Sequence, residues 1–228
     1  MSNNVEISII IPCLNEIAAL PETLQQLQQQ QAQNFEIIIV DGGSADGTWE
    51  YLEDLNHVHL QAARGRASQM NAGAAMARGK WLLFLHADTL LPDNATATVA
   101  SQPETIKAGG FRQRFNIKDW RLELISWMDN LRCRITHVVY GDQALFIRRA
   151  LFEKIGGYPP ISELEDLRFG ETLRKHTQPV LLPDEAVTDA RKFVQMGIWR
   201  SFGRLFLILI CAEFKLPILG RAFFQNIR

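Results

Sequence analysis

A histidine and a carboxylate two residues apart, His86 and Asp88, end an apolar run that begins at Trp81. The six residues 81–86, apolar except for the last, are typical of a strand buried on both faces. Residues i and i+2 of an extended chain point the same way, so both side chains can face one bound cation or phosphate. Such a strand end is also where open α/β sheets bind ligands. The alternative is an ordinary turn, because Asp-Thr-Leu-Leu-Pro is favourable turn sequence.

Polar residues also follow two earlier predicted strands. β-Branched and apolar sequences predict buried strands at 5–12 and 35–40. The polar residues after them are Asn15, Glu16, Asp41 and Ser44. The second pair lies in a loop with three glycines, which is typical of a tight turn.

The intervening segments predict helices and one short strand. Helices are expected at 21–33, 48–55 and 67–78, and the strand at 58–60. Gly79 is expected to cap the third helix. This alternation predicts parallel βαβ units, which bring their strand ends to one edge of the sheet. Neither a G-x-G-x-x-G after the first strand nor a P-loop sequence is present, so neither of those nucleotide-binding folds is supported.

The pattern changes after residue 101. Alternating large and polar residues at 107–117 predict an antiparallel or edge strand. A helix is predicted at 120–134, packing on the sheet through Leu122, Ile125, Met128 and Leu131. The other expected elements are a strand at 138–147, helices at 148–155 and from 163, short strands at 180–183 and 186–188, and a long apolar helix at 194–215.

Composition and charge restrict the class of protein. The 228 residues, 47% hydrophobic, suffice for one sizeable core. The net charge of −1 argues against a general nucleic-acid binder. Residues 191–228, however, hold seven Lys/Arg and one Glu, so this end is +6 and the remainder −7. A basic, apolar end suggests a surface for phosphates or anionic lipid.

The cysteines and the N-terminus indicate a cellular compartment. Cys13, Cys133 and Cys211 are too scattered for a disulfide framework or a zinc site, so buried thiols are expected. The N-terminus lacks the features of a signal peptide, and the longest apolar run, residues 205–212, is too short to span a bilayer. We therefore expect a cytoplasmic protein.

Four separated segments resemble, in order and spacing, the inverting family 2 glycosyltransferases. They are Ser8-Ile-Ile-Ile-Pro-Cys-Leu-Asn15-Glu16, Val40-Asp41-Gly-Gly-Ser44-Ala-Asp46-Gly-Thr48, Phe84-Leu-His86-Ala-Asp88 and Glu165-Asp166. The resemblance covers about residues 5–190. It implies the GT-A fold, an α/β fold whose mostly parallel central sheet is flanked by helices, and a nucleotide-sugar substrate. A GT-A domain is thus expected at 1–190, with a basic, apolar helical tail at 191–228.

A second resemblance is to one bacterial subgroup of this family, associated with radical-SAM proteins and proposed for arsenosugar biosynthesis. It rests on residues 64–73 (Arg-Gly-Arg-Ala-Ser-Gln-Met-Asn-Ala-Gly), on the His-Ala-Asp-Thr form of the motif at 86–89, and on residues 140–149.

The family's pattern implies a divalent cation, Mn²⁺ or Mg²⁺, at Asp88 and His86. Asp88 matches the metal-binding carboxylate, and His86 replaces the first carboxylate of the usual Asp-x-Asp. Mg²⁺ prefers oxygen ligands, whereas Mn²⁺ tolerates imidazole better. Alternatively, His86 contacts the phosphate or ribose directly.

The same pattern implies a set of nucleotide-sugar contacts. Asp41 would bond the base, and Arg66 and Asn71 the diphosphate and sugar. Asn15 and Glu16 could instead cap the first helix, since both residue types suit its N-terminal end. The predicted binding residues are Pro12, Asn15, Glu16, Asp41, Ser44, Arg66, Asn71, His86, Ala87, Asp88, Gln143 and Arg191.

Inversion requires a base that takes the proton of the attacking acceptor hydroxyl. The family's Glu-Asp pair implies Asp166, whose pKa Glu165 could raise by like-charge repulsion. Adjacent residues on a helix diverge by about 100°, so one of the two faces the substrate. Asp142 is the alternative base. Carboxylates at a helix N-terminus can also have a purely structural role.

The basic tail has two interpretations. Arg191 and Lys192 lie where many relatives carry a basic motif that meets the phosphates, although a solvated turn is the alternative. The following apolar helix either covers the core or lies at a membrane surface, where residues 194–228 would bring a lipid-linked acceptor to the site at the inner face of the membrane.

The sequence as a whole predicts a metal-dependent, inverting GT-A glycosyltransferase. A sugar-phosphate nucleotidyltransferase shares the sheet but would carry a glycine-rich signature with a basic residue after the first strand. A non-catalytic sugar-nucleotide-binding or scaffold protein is the other alternative, because the Asp-x-Asp is altered.

Overall fold

The computed structural model describes residues 5–31, 34–161, 164–203 and 207. Within these residues a single eight-stranded sheet has the order β3-β2-β1-β4-β7-β6-β8-β5. Its strands are β1 Ile7–Cys13, β2 Phe35–Asp41, β3 Val58–Gln61, β4 Trp81–Phe84, β5 Thr89–Leu90, β6 Ala108–Phe115, β7 Phe146–Arg148 and β8 Val180–Thr188. The helices are α1 Leu20–Gln28, α2 Thr48–Glu53, α3 Arg66–Met76, α4 Ala95–Ala100, α5 Trp120–Thr136, α6 Arg149–Ile155, α7 Glu165–Leu173 and α8 Arg191–Met196.

The N-terminal half is a parallel sheet built on β1. That strand pairs in parallel with β2 on one side and β4 on the other, and all seven of its residues are buried. Alternate β1 residues enter different clusters, Ile9 and Ile11 one core and Ile10 the other. Both faces of the sheet are therefore covered, as the apolar runs predicted.

The C-terminal half is mixed. β6 runs antiparallel to β7, as expected. Its other neighbour, β8, is parallel to it. Because β6 has a neighbour on both sides, it lies inside the sheet, and the edge-strand alternative was wrong. β8 is one strand rather than the two short strands predicted. Its pairing with β6 shifts register between Phe111 and Arg112, opposite the break that the sequence indicated. The predicted strand at 138–147 is reduced to β7, preceded by a 3₁₀ turn, Gly141–Gln143.

Helix α5 confirms the predicted helix but not the predicted buried face. Leu122 and Ile125 are buried, whereas Met128 and Leu131 are 37% and 40% exposed. Helical spacing fixes which residues share a face but not which neighbours cover it.

The predicted helix at 194–215 does not begin as expected. Helix α8 ends at Met196, because Gly197 has a φ of 85° that a helix does not accommodate, and a further helical segment spans 198–203. Phe193 packs edge-to-face on Phe115, and Trp199 on Trp120. These contacts favour the core-covering interpretation for residues 191–203. Apart from residue 207, the other predicted tail residues lie outside the described part of the chain, as does Cys211.

Among the described residues, no helix has the length and apolar character needed to cross a membrane. Cys13 and Cys133 are buried free thiols, as predicted.

Gly79 does not cap α3, which ends at Met76. A Cβ at Gly79 would instead lie 2.5 Å from Ser8 N and 2.7 Å from Ile7 C, both backbone atoms of β1. The glycine is thus required for close approach of two chain segments, not for helix termination.

Substituting Gly79→Ala should lower the free energy of unfolding by about 1–3 kcal/mol, because the backbone of β1 cannot move aside without disturbing the sheet. Urea unfolding midpoints measure this. Gly203→Ala is the control, since no described atom lies within 4 Å of a Cβ at that position. Equal midpoints for the two variants would contradict the proposed close approach.

Candidate functional site

The carboxyl ends of β1, β2 and β4 meet at one edge of the sheet because the strands are parallel neighbours. A cleft lies at this edge. The predicted residues that line it are Pro12, Glu16, Arg66, His86, Ala87 and Asp88. Arg64, Gln69 and Lys192 also belong to its polar wall.

Lys192 crosses this cleft between two carboxylates. Its Nζ donates to Glu16 Oε1 at 2.8 Å and to Asp88 Oδ2 at 3.2 Å. Arg191 Nη2 donates to the other Glu16 oxygen, Oε2, at 2.6 Å. Burial alone would raise the pKa of Asp88, but the charge of Lys192 holds that pKa below its ordinary value. The cleft therefore already places a positive charge beside Asp88.

Asn15 ties the first two loops together. Helix α1 begins after Ala19, so the alternative that Asn15 or Glu16 caps it was wrong. Asn15 instead takes a left-handed conformation (φ 56°), and its Oδ1 accepts from Ala45 N at 2.8 Å. Its own N–H donates to Ser44 Oγ at 2.8 Å. These bonds fix the loop after β1 against the loop after β2.

Asp41 braces the second loop from within. It is fully buried, and its carboxylate accepts from the backbone N–H groups of Gly43 and Ser44 and from the Ser44 hydroxyl. A nucleotide base would have to share these oxygens or displace the bonds. The predicted base contact of Asp41 stays a prediction.

His86 and Asp166 meet at Gly141. The Asp166 Oδ2 accepts from Gly141 N at 3.2 Å, and His86 Nε2 lies where a Cβ on residue 141 would have to be. Burial, assisted by the charge of Arg66, lowers the pKa of His86 to about 3, so the imidazole is neutral. The end of β4 and the start of α7 are thereby joined through one glycine.

The two other predicted catalytic carboxyls differ in environment. Glu165 is buried, at 4% exposure, and its neighbour Asp166 is the one that reaches Gly141. Asp142 is half-buried, but its Oδ1 is buried and has no hydrogen-bond partner among the described residues. Burial raises the pKa of Asp142 to about 7, and the neighbouring Asp129 adds to the rise.

Arg132 is a site residue that sequence reasoning missed. Its side chain bonds Asp129 Oδ1 at 2.8 Å and Val138 O at 2.8 Å, and its guanidinium lies 3.6 Å from the Tyr140 ring centroid. It therefore holds the segment that carries Gly141 against α5. Its i, i+3 relation to Asp129 was the available signal, but such pairs are usually solvated.

Asn71 and Gln143 do not line the cleft. The amide of Asn71 forms a pair of 2.9 Å bonds with the backbone of Tyr158. Gln143 is buried, and its Oε1 accepts from Tyr140 N at 3.2 Å. In both residues the side-chain amide forms hydrogen bonds to the backbone that support the fold. Their predicted contacts with the sugar stay predictions.

Asp88 fits a metal that is shared with a substrate. No group of three or more His, Cys, Asp or Glu that could hold an ion occurs in the described part of the chain. Mg²⁺ is commonly held by one or two carboxylates together with substrate phosphates, so a lone carboxylate beside a cationic wall is compatible with it. His86 fits less well, because its Nε2 is packed against Gly141.

Comparison with protein families and curated sequences gives concordant matches. A family model described as Glycosyl transferase family 2 matches residues 8–156. The chain is 35% identical over 168 residues to a PGL/p-HBAD biosynthesis glycosyltransferase of Mycobacterium bovis (strain BCG / Pasteur 1173P2), a match that covers 66% of this chain and 62% of that protein. It is 38% identical over 177 residues to an uncharacterized glycosyltransferase of Haemophilus influenzae, over 72% of this chain and 60% of that protein. The chain thus spans about three fifths of these relatives.

Solved structures show the same fold. Residues 1–349 of S. aureus TarS in complex with UDP-GlcNAc match with a TM-score of 0.66 at 19% identity, over 82% of this chain and 59% of that one. The mannosyltransferase PcManGT from Pyrobaculum calidifontis, in complex with GDP-Man and Mn²⁺, matches with a TM-score of 0.66 at 20% identity, over 97% and 67%. The predicted GT-A fold is confirmed.

The half-buried Asp142, whose Oδ1 is shielded from solvent, should make stability depend on pH. Its folded pKa of about 7 exceeds the ordinary value, so the folded chain binds the proton more tightly and loses stability as pH rises towards 7. The free energy of unfolding of Asp142→Asn, taken relative to that of the wild type, should therefore rise by about 1.4 kcal/mol per pH unit between about pH 4 and 7. Urea unfolding of both proteins at several pH values measures the gain. A difference that does not change with pH would show that Asp142 ionises freely in the folded state.

Proposed function

The chain belongs to glycosyl transferase family 2, and we propose that it moves a sugar from a nucleotide diphosphate to an acceptor hydroxyl with inversion at the anomeric carbon. The principal support is the cleft at the strand ends, where Asp88 lies under Lys192 and beside Arg66. A nucleoside diphosphate develops negative charge as the glycosyl bond breaks. Groups that neutralise this charge in place stabilise the transition state.

Arg64, Arg66 and Lys192 are proposed to receive the diphosphate. All three line the cleft, and Lys192 has a flexible stem with three donors that can turn from the carboxylates to a phosphate. Asp88 would hold a divalent cation, Mn²⁺ or Mg²⁺, which supplies Lewis-acid neutralisation of the leaving group. The bound UDP-GlcNAc of TarS and the bound GDP-Man of PcManGT make UDP- and GDP-sugars the first donors to test.

Asp166 is proposed as the general base. The N–H that it accepts from Gly141 fixes its carboxylate at the junction of β4 and α7, close to His86. Asp142 is the alternative, favoured by one observation: a pKa of about 7 suits a base that works near neutral pH. The neutral His86 can donate or accept a hydrogen bond there without adding charge.

Three finer points rest on the sequence alone. Membership of the radical-SAM-associated subgroup, a cytoplasmic location, and a contact of residues 194–228 with the inner face of the membrane stay predictions.

Donor binding and turnover separate the roles of the two aspartates. With UDP-GlcNAc or GDP-mannose and Mn²⁺, Asp166→Asn should keep the donor-induced rise in unfolding temperature but lose about 10²–10⁴-fold in turnover. Asp88→Ala should lose the Mn²⁺-dependent part of that rise. The exposed Asp93→Asn is the control. Wild-type behaviour of both site variants would refute the assignment, and a loss of turnover only in Asp142→Asn would move the base to Asp142.

Removing Lys192 should have opposite effects on metal and donor. Lys192→Ala frees Asp88 from its ammonium partner, so Mn²⁺ should bind about tenfold more tightly in the absence of donor, equivalent to ~1.4 kcal/mol. Donor binding should weaken, because a phosphate contact is lost. Calorimetric titration with MnCl₂ measures the first effect and thermal shift the second. Lys80→Ala, at an exposed ion pair with Glu6, is the control. Unchanged Mn²⁺ and donor binding would mean that Lys192 is only a surface ion pair.

A further inference from the structure

A second cavity lies between β6 and α5, outside the cleft described above. It has a volume of about 340 Å³, within the range of sites for small molecules. Its floor includes Gln113 and Ser126, and its walls include Trp127, Leu131 and Arg134, with Lys118 near them. We call this cavity the α5 groove.

The floor of the α5 groove has polar atoms without partners. Gln113 is 2% exposed and Ser126 7% exposed. Within the described residues, Gln113 Nε2 and Ser126 Oγ make no hydrogen bond. Burying a polar group without a partner costs stability, so a polar group of a ligand that bonds these atoms would recover that cost. Here one amide donor and one hydroxyl would face it.

The walls of the α5 groove combine apolar surface with positive charge. Trp127 and Leu131 are 61% and 40% exposed, so both add apolar surface to the wall of the groove. Four of the lining residues are cationic and two are acidic, and the acidic Glu185 pairs with Arg112 and Arg114. Lys118 and Arg134 are exposed and form no ion pair with any described residue. The groove thus offers an apolar wall beside two cations that form no ion pair with a described carboxylate; Glu123 is the other acidic residue that lines it.

The α5 groove is also connected to the candidate base. Asn130 Oδ1 accepts from Gln113 N at 2.8 Å and from Gln143 Nε2 at 3.4 Å. Gln143 follows Asp142 in the 3₁₀ turn that begins at Gly141. The floor is therefore one side chain away from the turn that contacts Asp166.

We propose that the α5 groove binds the acceptor of the transfer, and that this acceptor is an anionic amphiphile. Its apolar part lies along Trp127 and Leu131, its anionic group meets Lys118 and Arg134, and a polar group bonds Gln113 and Ser126. This inference rests on the proposed function, because it assigns the acceptor side of the same reaction. It does not involve the donor residues around Asp88.

The test uses three probes on the full chain: octyl phosphate, octyl glucoside and inorganic phosphate, each below any micelle concentration. Calorimetric titration should show octyl phosphate binding at least ~10-fold more tightly than either other probe, since each lacks one half of the recognition. Arg134→Gln and Trp127→Ala should each weaken that binding about tenfold, which corresponds to loss of one charge-assisted or one apolar contact. Both side chains are exposed, so the fold should persist.

Two matched variants serve as controls. Lys154→Gln removes an exposed cation from α6, and Ile135→Ala removes an apolar side chain, 71% exposed, from α5 outside the groove. Both should bind octyl phosphate like the wild type. Equal binding of the two octyl probes, or no effect of Arg134→Gln and Trp127→Ala, would overturn the proposal.

Donor binding separates this proposal from the proposed function. The Arg134→Gln and Trp127→Ala variants should keep the donor-induced thermal shift, and octyl phosphate should not displace the donor. Displacement of octyl phosphate by a UDP- or GDP-sugar would place the amphiphile in the donor cleft and overturn the inference. If no donor binds the wild type while octyl phosphate still binds in the groove, the transferase assignment fails and the groove survives as an amphiphile site.

Discussion

The bare backbone of Gly141 is the point at which the two halves of the site touch. His86 ends the parallel half of the sheet, Asp166 begins α7, and both side chains contact this residue. Any Cβ at position 141 would overlap His86 Nε2. The distance between the donor cleft and the candidate base is therefore set by the absence of a side chain. Arg132 maintains that arrangement, because its hydrogen bond to Val138 O holds the segment before Gly141 against α5.

The donor side depends on charges brought together from distant parts of the chain. Glu16 and Asp88 are separated by 72 positions, and Lys192 lies more than 100 positions beyond Asp88. One ammonium nevertheless bonds both carboxylates. Phe193, packed on Phe115, places α8 over the cleft. The beginning of the basic tail thus contributes to the same cleft as the strand ends. When a diphosphate enters the cleft, the ammonium of Lys192 can leave the two carboxylates and bond a phosphate oxygen instead.

The two sides of the proposed site are built differently. The donor side consists of loops after parallel strands, fixed by short polar bonds such as Asn15 to Ala45. The acceptor side consists of one helix, α5, laid on β6, with part of its apolar surface uncovered. Asn130 connects the acceptor side to the 3₁₀ turn that begins at Gly141, since it bonds both the β6 backbone and Gln143. This division suits a transferase, because a donor common to many enzymes needs a fixed site whereas acceptors differ.

The amino-acid sequence by itself determined the order of strands and helices from β1 to β4, but it did not indicate the two-residue strand β5. Local patterns sufficed there, because a strand buried on both faces is apolar throughout and its polar residues fall at its end. It also singled out Asp88 and Asp166 as candidates. Only the tertiary structure decided that Lys192 bonds Asp88, that Arg132 supports the site, and that Met128 and Leu131 stay exposed. These features depend on which distant segments meet, and contacts between remote parts of a chain leave no periodic signal in the sequence.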